Sequence, residues 1–455
     1  MAGLADDGGL YLPCAYPALT PSDIAGFAGK PYVDVAEAVF GSFSAGASQS
    51  ATLRPMLAQA YAGFRHAAVT PLAQIGDNLF LLELFHGPTL AFKDVAMQLL
   101  GRLMDHELKR SGRRATVIGA TSGDTGAAAI EAFRGLAQVD IFILYPHGRV
   151  SDVQRRQMTT VTDANVHVIA LEGTFDDAQA IVKALFGHKS FRDELGLCGV
   201  NSINWARVAA QAVYYFVAAV ALGGPHRAVS FAVPTGNFGD VLAGWIAKRM
   251  GLPIDRLVVA TNCNDILPRA LASGRYEVRS VTPTQSPSMD IQVSSNFERL
   301  LFEAYDRDAA MLRASMNSLR QSGAFTIEPA PLAAIRRDFD ALSVSEDGTR
   351  EEIARVWREA GRLIDPHTAV GVGAGRRALV ADPSRPMVVL STAHPAKFPD
   401  AIEKATGERP ALPVHLAGLF DRPEHFDVLP NDQAAVEAFI RARRHAAPAL
   451  ERVAS

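Results

Sequence analysis

The chain has 455 residues, 48% hydrophobic and 20% charged, with a formal net charge of −3. That length supports two or three domains with full cores, and the charge balance leaves no basic footprint for nucleic acid. Cys14, Cys198 and Cys263 lie far apart without a CxxC pair, which argues against a disulfide framework or a cysteine-based zinc site and fits a reducing, cytoplasmic compartment.

The first residues, Met-Ala-Gly-Leu-Ala-Asp-Asp, have no basic region followed by an apolar core, so no signal peptide is expected. Residues 1–75 read as mixed: Asp7 to Pro13 is a turn into an extended segment, and Pro21 to Ile24 and Val33 to Phe40 are short helices. Asn78 to Phe85 reads as a strand, and Gly87 and Pro88 punctuate a turn. From Asp94 the apolar positions Val95, Met97, Leu99, Leu100, Leu103 and Met104 recur at helical spacing. Lys93 therefore stands where a turn enters a helix, behind the apolar Leu90, Ala91 and Phe92. A buried lysine amine loses its proton more readily and can attack a carbonyl, most commonly that of pyridoxal phosphate. Taken alone, the same pattern fits the commoner case of a lysine snorkelling out of an apolar helix start.

Thr116 to Gly119 is a short apolar strand entering the loop Ala120-Thr-Ser-Gly-Asp-Thr-Gly126, followed by a helix from Ala127 to Phe133. Asp140 to Tyr145 and Val166 to Leu171 are further strands, and Ser151 caps a helix running to Thr160. Phe175 to Phe186 is a helix. The helix from Ala206 to Leu222, interrupted by Arg207 and Gln211, is too short and too polar to span a bilayer, so no membrane is expected. Ala228 to Val233 is a strand, Pro234-Thr-Gly-Asn-Phe-Gly-Asp240 a loop, and a helix runs on to Met250. Arg256 to Ala260 is a strand, 300–362 is mostly amphipathic helix, Ala369 to Val380 is helix, and Met387 to Leu390 is a last buried strand.

Short apolar strands alternating with helices predict parallel sheets covered on both faces. The alternation runs in two blocks, about 76–200 and 225–405. The expected fold is α/β, with two mostly parallel open-sheet domains and an N-terminal extension. The expected division is an N-terminal region 1–75, a smaller domain 76–215 with Lys93 and the Ser122–Gly126 loop, and a larger domain 216–455 with the Gly236 loop. The cleft between the two domains is the expected site.

In the loop 235–240, glycines between a strand and a helix let backbone N–H groups converge at a helix N-terminus, which suits a phosphate. It is neither a Walker A loop nor GxGxxG, and a tight strand-to-helix turn is the alternative. Thr121, Ser122 and Thr125 offer hydroxyls in the same setting. Asp124 among them would repel an anion unless it faces another group. An N-cap cluster is the simpler reading of that loop. Asn201, Ser202 and Arg207 bring amide, hydroxyl and guanidinium groups to a helix start, where Arg207 could grip a phosphate or carboxylate or lie on a solvated face. Asp365-Pro-His-Thr368 reads as a helix cap. Thr392, directly after the last strand, lies at the usual ligand edge of an open sheet. A buried amine, a phosphate cradle, a second anion loop and a strand-end hydroxyl together suit pyridoxal phosphate carrying an anionic substrate. No metal site is expected.

The segments Gly3 to Pro13, His86 to Asp94, Ala120 to Gly126, Pro234 to Asp240, Ser286 to Val293 and Thr392 to Phe398 resemble threonine synthases, over essentially the whole chain. The resemblance implies a pyridoxal-phosphate enzyme of fold type II that turns O-phospho-L-homoserine and water into L-threonine and phosphate. It implies that Lys93 carries the cofactor as a Schiff base. Gly236, Asn237, Phe238, Gly239 and Asp240 would hold the cofactor phosphate, with Asp124 also on the cofactor side. Thr392 would face the pyridine nitrogen. Thr121, Ser122, Thr125, Asn201, Ser202 and Arg207 would bind the substrate. The family usually has an extra segment before Gly3, so a shortened N-terminus is expected. A monomer or homodimer is expected. The competing expectations are a serine/threonine dehydratase, an O-phosphohomoserine phospholyase, and a cofactor-binding protein without turnover. The second anion-binding set around Arg207 argues against the dehydratase.

Overall fold

The computed structural model describes Ala5, residues 8–43 and residues 50–445. The start of the expected N-terminal turn, including Asp7, lies outside the described residues. The strands, in chain order, are β1 (Leu72–Gly76), β2 (Leu79–Glu83), β3 (Ala115–Ala120), β4 (Val139–Pro146), β5 (Val166–Glu172), β6 (Leu197–Gly199), β7 (Val229–Pro234), β8 (Ile254–Thr261), β9 (Arg275–Glu277), β10 (Ala324–Thr326), β11 (Phe339–Ser343), β12 (Met387–Ser391) and β13 (Asp427–Pro430).

Among the described residues the chain forms two compact units. The larger comprises 5–99 and 202–413, the smaller 100–201 and 414–445. The larger is built on a sheet of order β1-β2-β12-β7-β8-β11, parallel except for the β1–β2 pair. Its side chains Leu79, Leu81, Ala232, Val258 and Val389 pack against the helices Glu346–Ala360 and Pro366–Ala381 through Ile353, Val356, Val370 and Val372. The smaller unit is a fully parallel sheet of order β13-β5-β4-β3-β6. All eight residues of β4 are buried, as a central strand covered on both faces requires. No helix among the described residues is long and apolar enough to cross a membrane, and none of the three cysteines is in a disulfide.

The contiguous division 76–215 and 216–455 differs from this grouping in three places, one of them 202–215, which lies in the larger unit. Strand β2 pairs with β12, so the segment up to Leu99, with Lys93 on it, belongs to the larger unit. At the other end β13 pairs with β5, and Val436 and Ile440 of the helix Gln433–Arg443 join the core of the smaller sheet. Residues 300–362 are mostly helix, as expected, interrupted by two short strands. β10 pairs antiparallel with β9, and β11, immediately after the helix Pro329–Asp338, forms the parallel edge beside β8. Phe339-Asp-Ala-Leu-Ser343 has too little β-branched character to stand out from the helices around it.

Candidate active site

Strands β2, β12 and β7 are consecutive neighbours running in one direction, so their C-terminal ends share one edge of the larger sheet. That edge is where open α/β sheets bind ligands. The loop after β2 delivers Lys93, the residue after β12 is Thr392, and the loop after β7 is Thr235 to Phe238. Three stretches that the sequence separates by more than a hundred positions therefore emerge side by side.

Local bonds fix the Lys93 turn. The backbone N–H and hydroxyl of Thr89 donate to the Asp94 carboxylate at 2.8 and 2.7 Å, and Asp94 suits the first turn of the helix Lys93–Ser111. Residues 89–92 then lie along 392–397. Phe92 N–H donates to the Thr392 carbonyl at 2.8 Å, His394 N–H to the Leu90 carbonyl at 3.0 Å, and the Lys397 ammonium to the Thr89 carbonyl at 2.7 Å. Lys93 is 9% exposed, with Nζ 4.9 Å from the centre of the Phe92 ring. Thr392 is likewise buried.

After β7, a Cβ on Gly236 would come within 2.7 Å of the Ser288 carbonyl oxygen, so the loop accepts only glycine there. Phe238 takes the left-handed conformation at φ 61° and opens the helix Gly239–Arg249. Its ring, packed at 5.3 Å from Phe297 and 5.6 Å from Phe339, holds that unfavourable backbone in place. Ser294 Oγ donates to the Gly236 carbonyl at 2.5 Å. Asn296 Nδ2 donates to the carbonyls of Asn237 at 3.0 Å and Ser202 at 3.2 Å. The buried Arg299 guanidinium in turn donates to Asn296 Oδ1, and to the Ile203 carbonyl at 2.7 Å. The loop is thus rigid, and the carbonyls that could repel an anion are engaged elsewhere.

Asp240 turns away from this loop toward the helix Trp205–Ala221. Its Oδ1 accepts from the hydroxyls of Tyr214 and of Tyr215, the latter at 3.1 Å. Burial pushes its pKa up to about 7, opposed by the two tyrosine hydrogen bonds and by the Lys93 charge. With the carboxylate so engaged, the backbone is the part of Asp240 suited to a phosphate. Arg207 lies on that same helix, whose first turn is capped by Asn204 Oδ1 accepting from Ala206 N–H at 3.0 Å. Arg207 is buried rather than on a solvated face, and burial lowers its pKa to about 10, so it remains cationic at neutral pH.

On the smaller unit, β3 and β6 are parallel neighbours, so the Thr121–Gly126 loop after β3 and Asn201 after β6 lie at one edge of that sheet. The Thr121 hydroxyl oxygen is used inside the loop, accepting from the N–H groups of Gly123 and Gly126, both at 2.9 Å. Asp124 is buried and faces Gln154, whose Nε2 donates to Oδ1 at 2.8 Å. That amide is the polar partner an aspartate in this loop requires. Ser122 and Thr125 are half-buried and Asn201 is exposed.

Sequence reasoning missed Ser294, Asn296 and Arg299 as the clamp on the Gly236 loop. The nearby Ser286–Val293 segment was the available signal. It also read Asp365 to Thr368 as a helix cap only. The cap is present, but His367 reaches further, to the backbone of Ser288 at 3.2 Å.

These residues fit pyridoxal phosphate. A glycine with no room for a side chain opens a loop of backbone N–H groups at a helix N-terminus, and a buried amine and a buried hydroxyl stand at the ends of the two neighbouring strands. Residues 64–321 match the model for pyridoxal-phosphate-dependent enzymes, and that is the class of protein to which fold and site belong. Models for the threonine synthase N terminus and for the threonine synthase C-terminal region match residues 1–61 and 368–440. A threonine synthase of Pseudomonas aeruginosa is 53% identical over 444 residues, covering 97% of this chain and 94% of that protein. The crystal structure of pyridoxal-phosphate-bound threonine synthase from Brucella melitensis superposes with a TM-score of 0.94 at 57% identity, covering 98% of this chain and 95% of the other. Threonine synthase from yeast superposes at 0.92 with 40% identity, covering 97% and 94%. The chain belongs to the threonine synthase family, and its cofactor is pyridoxal phosphate.

Proposed function

We propose that the chain converts O-phospho-L-homoserine and water into L-threonine and phosphate, in the cytoplasm, as a monomer or homodimer. The observation that carries the catalytic part of this reading is the shared edge of β2, β12 and β7, which supplies an amine, a hydroxyl and a phosphate loop to one side of the sheet. When bound, pyridoxal phosphate supplies a conjugated carbonyl that takes up the electron pair left by a departing proton.

The residues divide the remaining work. Backbone N–H groups of Gly236, Asn237, Phe238, Gly239 and Asp240 hold the cofactor phosphate, aided by the helix N-terminus. The Thr392 hydroxyl would face the ring nitrogen, and a neutral donor there would leave that nitrogen without a full charge. Asp124, first residue of the helix Asp124–Phe133, orders the end of the loop before it through Gln154. Thr121, Ser122, Thr125 and Asn201 on the smaller unit, and Ser202 and Arg207 on the larger, are assigned to the anionic ends of the substrate. Lys93 Nζ removes the proton from the α-carbon, passes it to the substrate phosphate and, neutral again, removes one from the β-carbon. Arg207 receives the phosphate as it leaves the γ-carbon. Lys93 then gives its proton to the γ-carbon, takes one from the water that adds its hydroxyl at the β-carbon, and returns that proton to the α-carbon. Burial of Lys93 beside the Phe92 ring supports this role.

Product analysis tests the assignment. The purified chain given O-phospho-L-homoserine is expected to release threonine and phosphate in equal amounts. Accumulation of 2-oxobutanoate in place of threonine would make it a lyase that stops at elimination.

A further inference from the structure

We propose that His367 is a positioning residue for the cofactor phosphate, acting through the backbone of Ser288, which walls the Gly236 loop. The inference rests on the reading above that this loop holds that phosphate.

Asp365 is fully buried and caps the helix Pro366–Ala381. It accepts from the N–H groups of His367 at 2.9 Å and Thr368 at 3.3 Å. Capping needs nothing more from the sequence. Yet the same carboxylate also accepts from His367 Nδ1–H at 2.8 Å and from the Thr368 hydroxyl. With Nδ1–H committed to Asp365, Nε2 is left as an acceptor, and it takes the N–H of Ser288 at 3.2 Å. An Asp–His pair whose second nitrogen ends on a backbone amide is an orienting device rather than a cap.

What it orients is the short turn Pro287–Met289. The flanks of that turn are held separately, by Asn262 Nδ2 donating to Ser286 Oγ at 3.0 Å and to Asp290 Oδ1 at 2.8 Å. Ser288 in its middle is held by His367. The Ser288 carbonyl is the atom 2.7 Å from where a Gly236 Cβ would stand. The His367 ring is itself fixed by the Phe398 ring, with centres 5.0 Å apart. Thr368 Oγ1, on the same carboxylate, lies 3.1 Å from Ser391 Oγ, one residue before Thr392. His367 therefore serves the phosphate side of the cofactor, while Thr368 serves the ring side.

The test compares pyridoxal phosphate with pyridoxal, which lacks the phosphate, as titrants of the cofactor-free full chain. His367→Asn keeps a donor toward Asp365 but does not reach Ser288; His367→Gln places an acceptor near the Nε2 position. In His367→Asn the Kd for pyridoxal phosphate is expected to rise about five- to tenfold, the scale of one lost hydrogen bond, while the Kd for pyridoxal stays within about twofold. His367→Gln is expected to recover most of the loss. Should His367→Asn not fold, Ser288→Pro removes the same bond from its other end and is expected to show the same phosphate-selective loss. Equal weakening of both titrants, no weakening, or Gln behaving as Asn overturns the proposal. Gly236→Ala separates the underlying reading. If it leaves the preference for the phosphorylated titrant intact, the loop is not the phosphate cradle and the role of His367 falls with it. If Gly236→Ala loses that preference and the His367 variants keep it, only the His367 role fails.

Discussion

Replacing Asp240 by Asn should make the larger unit more stable at pH 8 relative to the parent than at pH 5.5. Asp240 is buried, its Oδ2 has no hydrogen-bond partner among the described residues, and its pKa is pushed up from 3.8 to about 7. A carboxyl with a raised folded-state pKa keeps its proton in the folded chain while the unfolded chain has lost it. Stability is therefore fully present below about pH 4, declines as pH rises toward 7, and changes no further above that. The whole decline corresponds to about 4 kcal/mol in the cofactor-free chain, of which about 2 kcal/mol falls between pH 5.5 and 8. Asn keeps an oxygen to accept from Tyr214 and Tyr215 but has no proton to lose. The stability gap between variant and parent should thus widen by about 2 kcal/mol across that interval. Trp205, Trp245 and Trp357, the three tryptophans of the chain, all lie in the larger unit, so urea unfolding followed by tryptophan fluorescence reports on the unit that holds Asp240. Parallel pH profiles for Asp240→Asn and parent would refute the reasoning and mean that Asp240 is ionised throughout.

Arg207→Ala should raise KM for O-phospho-L-homoserine about tenfold to a hundredfold, the scale of a lost charged hydrogen bond, while the Kd for pyridoxal phosphate stays unchanged. Loss of the cofactor instead would put Arg207 on the cofactor. Thr392→Val should cost about 1 kcal/mol of cofactor binding or of the barrier. Thr392→Asp should protonate the ring nitrogen and raise the fraction of side products such as 2-oxobutanoate. Equal cofactor occupancy, rate and product ratio in parent, Val and Asp would reduce Thr392 to a turn residue.

The site was legible where chemistry and local structure coincide. Gly87 and Pro88 mark the turn before Lys93, the helical spacing starts at Asp94, and Thr392 follows an apolar run that can only be a buried strand. The parallel sheets were legible for the same reason, since β3, β4, β7 and β12 are short continuous apolar runs. What stayed hidden depends on partners far away in sequence. Nothing local tells Arg299 to bind the carbonyls of Tyr11 and Ile203, or His367 to find Ser288. Nor does composition reveal that β13, with an alternating and half-exposed pattern, extends the smaller sheet across more than 250 positions. Asp240 was expected at a phosphate on the strength of its place in the loop. The tyrosines that turn its carboxylate aside sit on a helix that reads from sequence only as buried.

The identity of the lysine that carries the cofactor is the most direct test. Borohydride reduction of the pyridoxal-phosphate-loaded chain, followed by peptide mapping, is expected to find the pyridoxyl group on the peptide containing Lys93 and on no other. Lys93→Ala should correspondingly lack the long-wavelength absorbance of the loaded protein and almost all turnover. Recovery of the label on Lys397, Lys248 or another lysine, or a Lys93→Ala chain with parental absorbance and activity, would contradict the account.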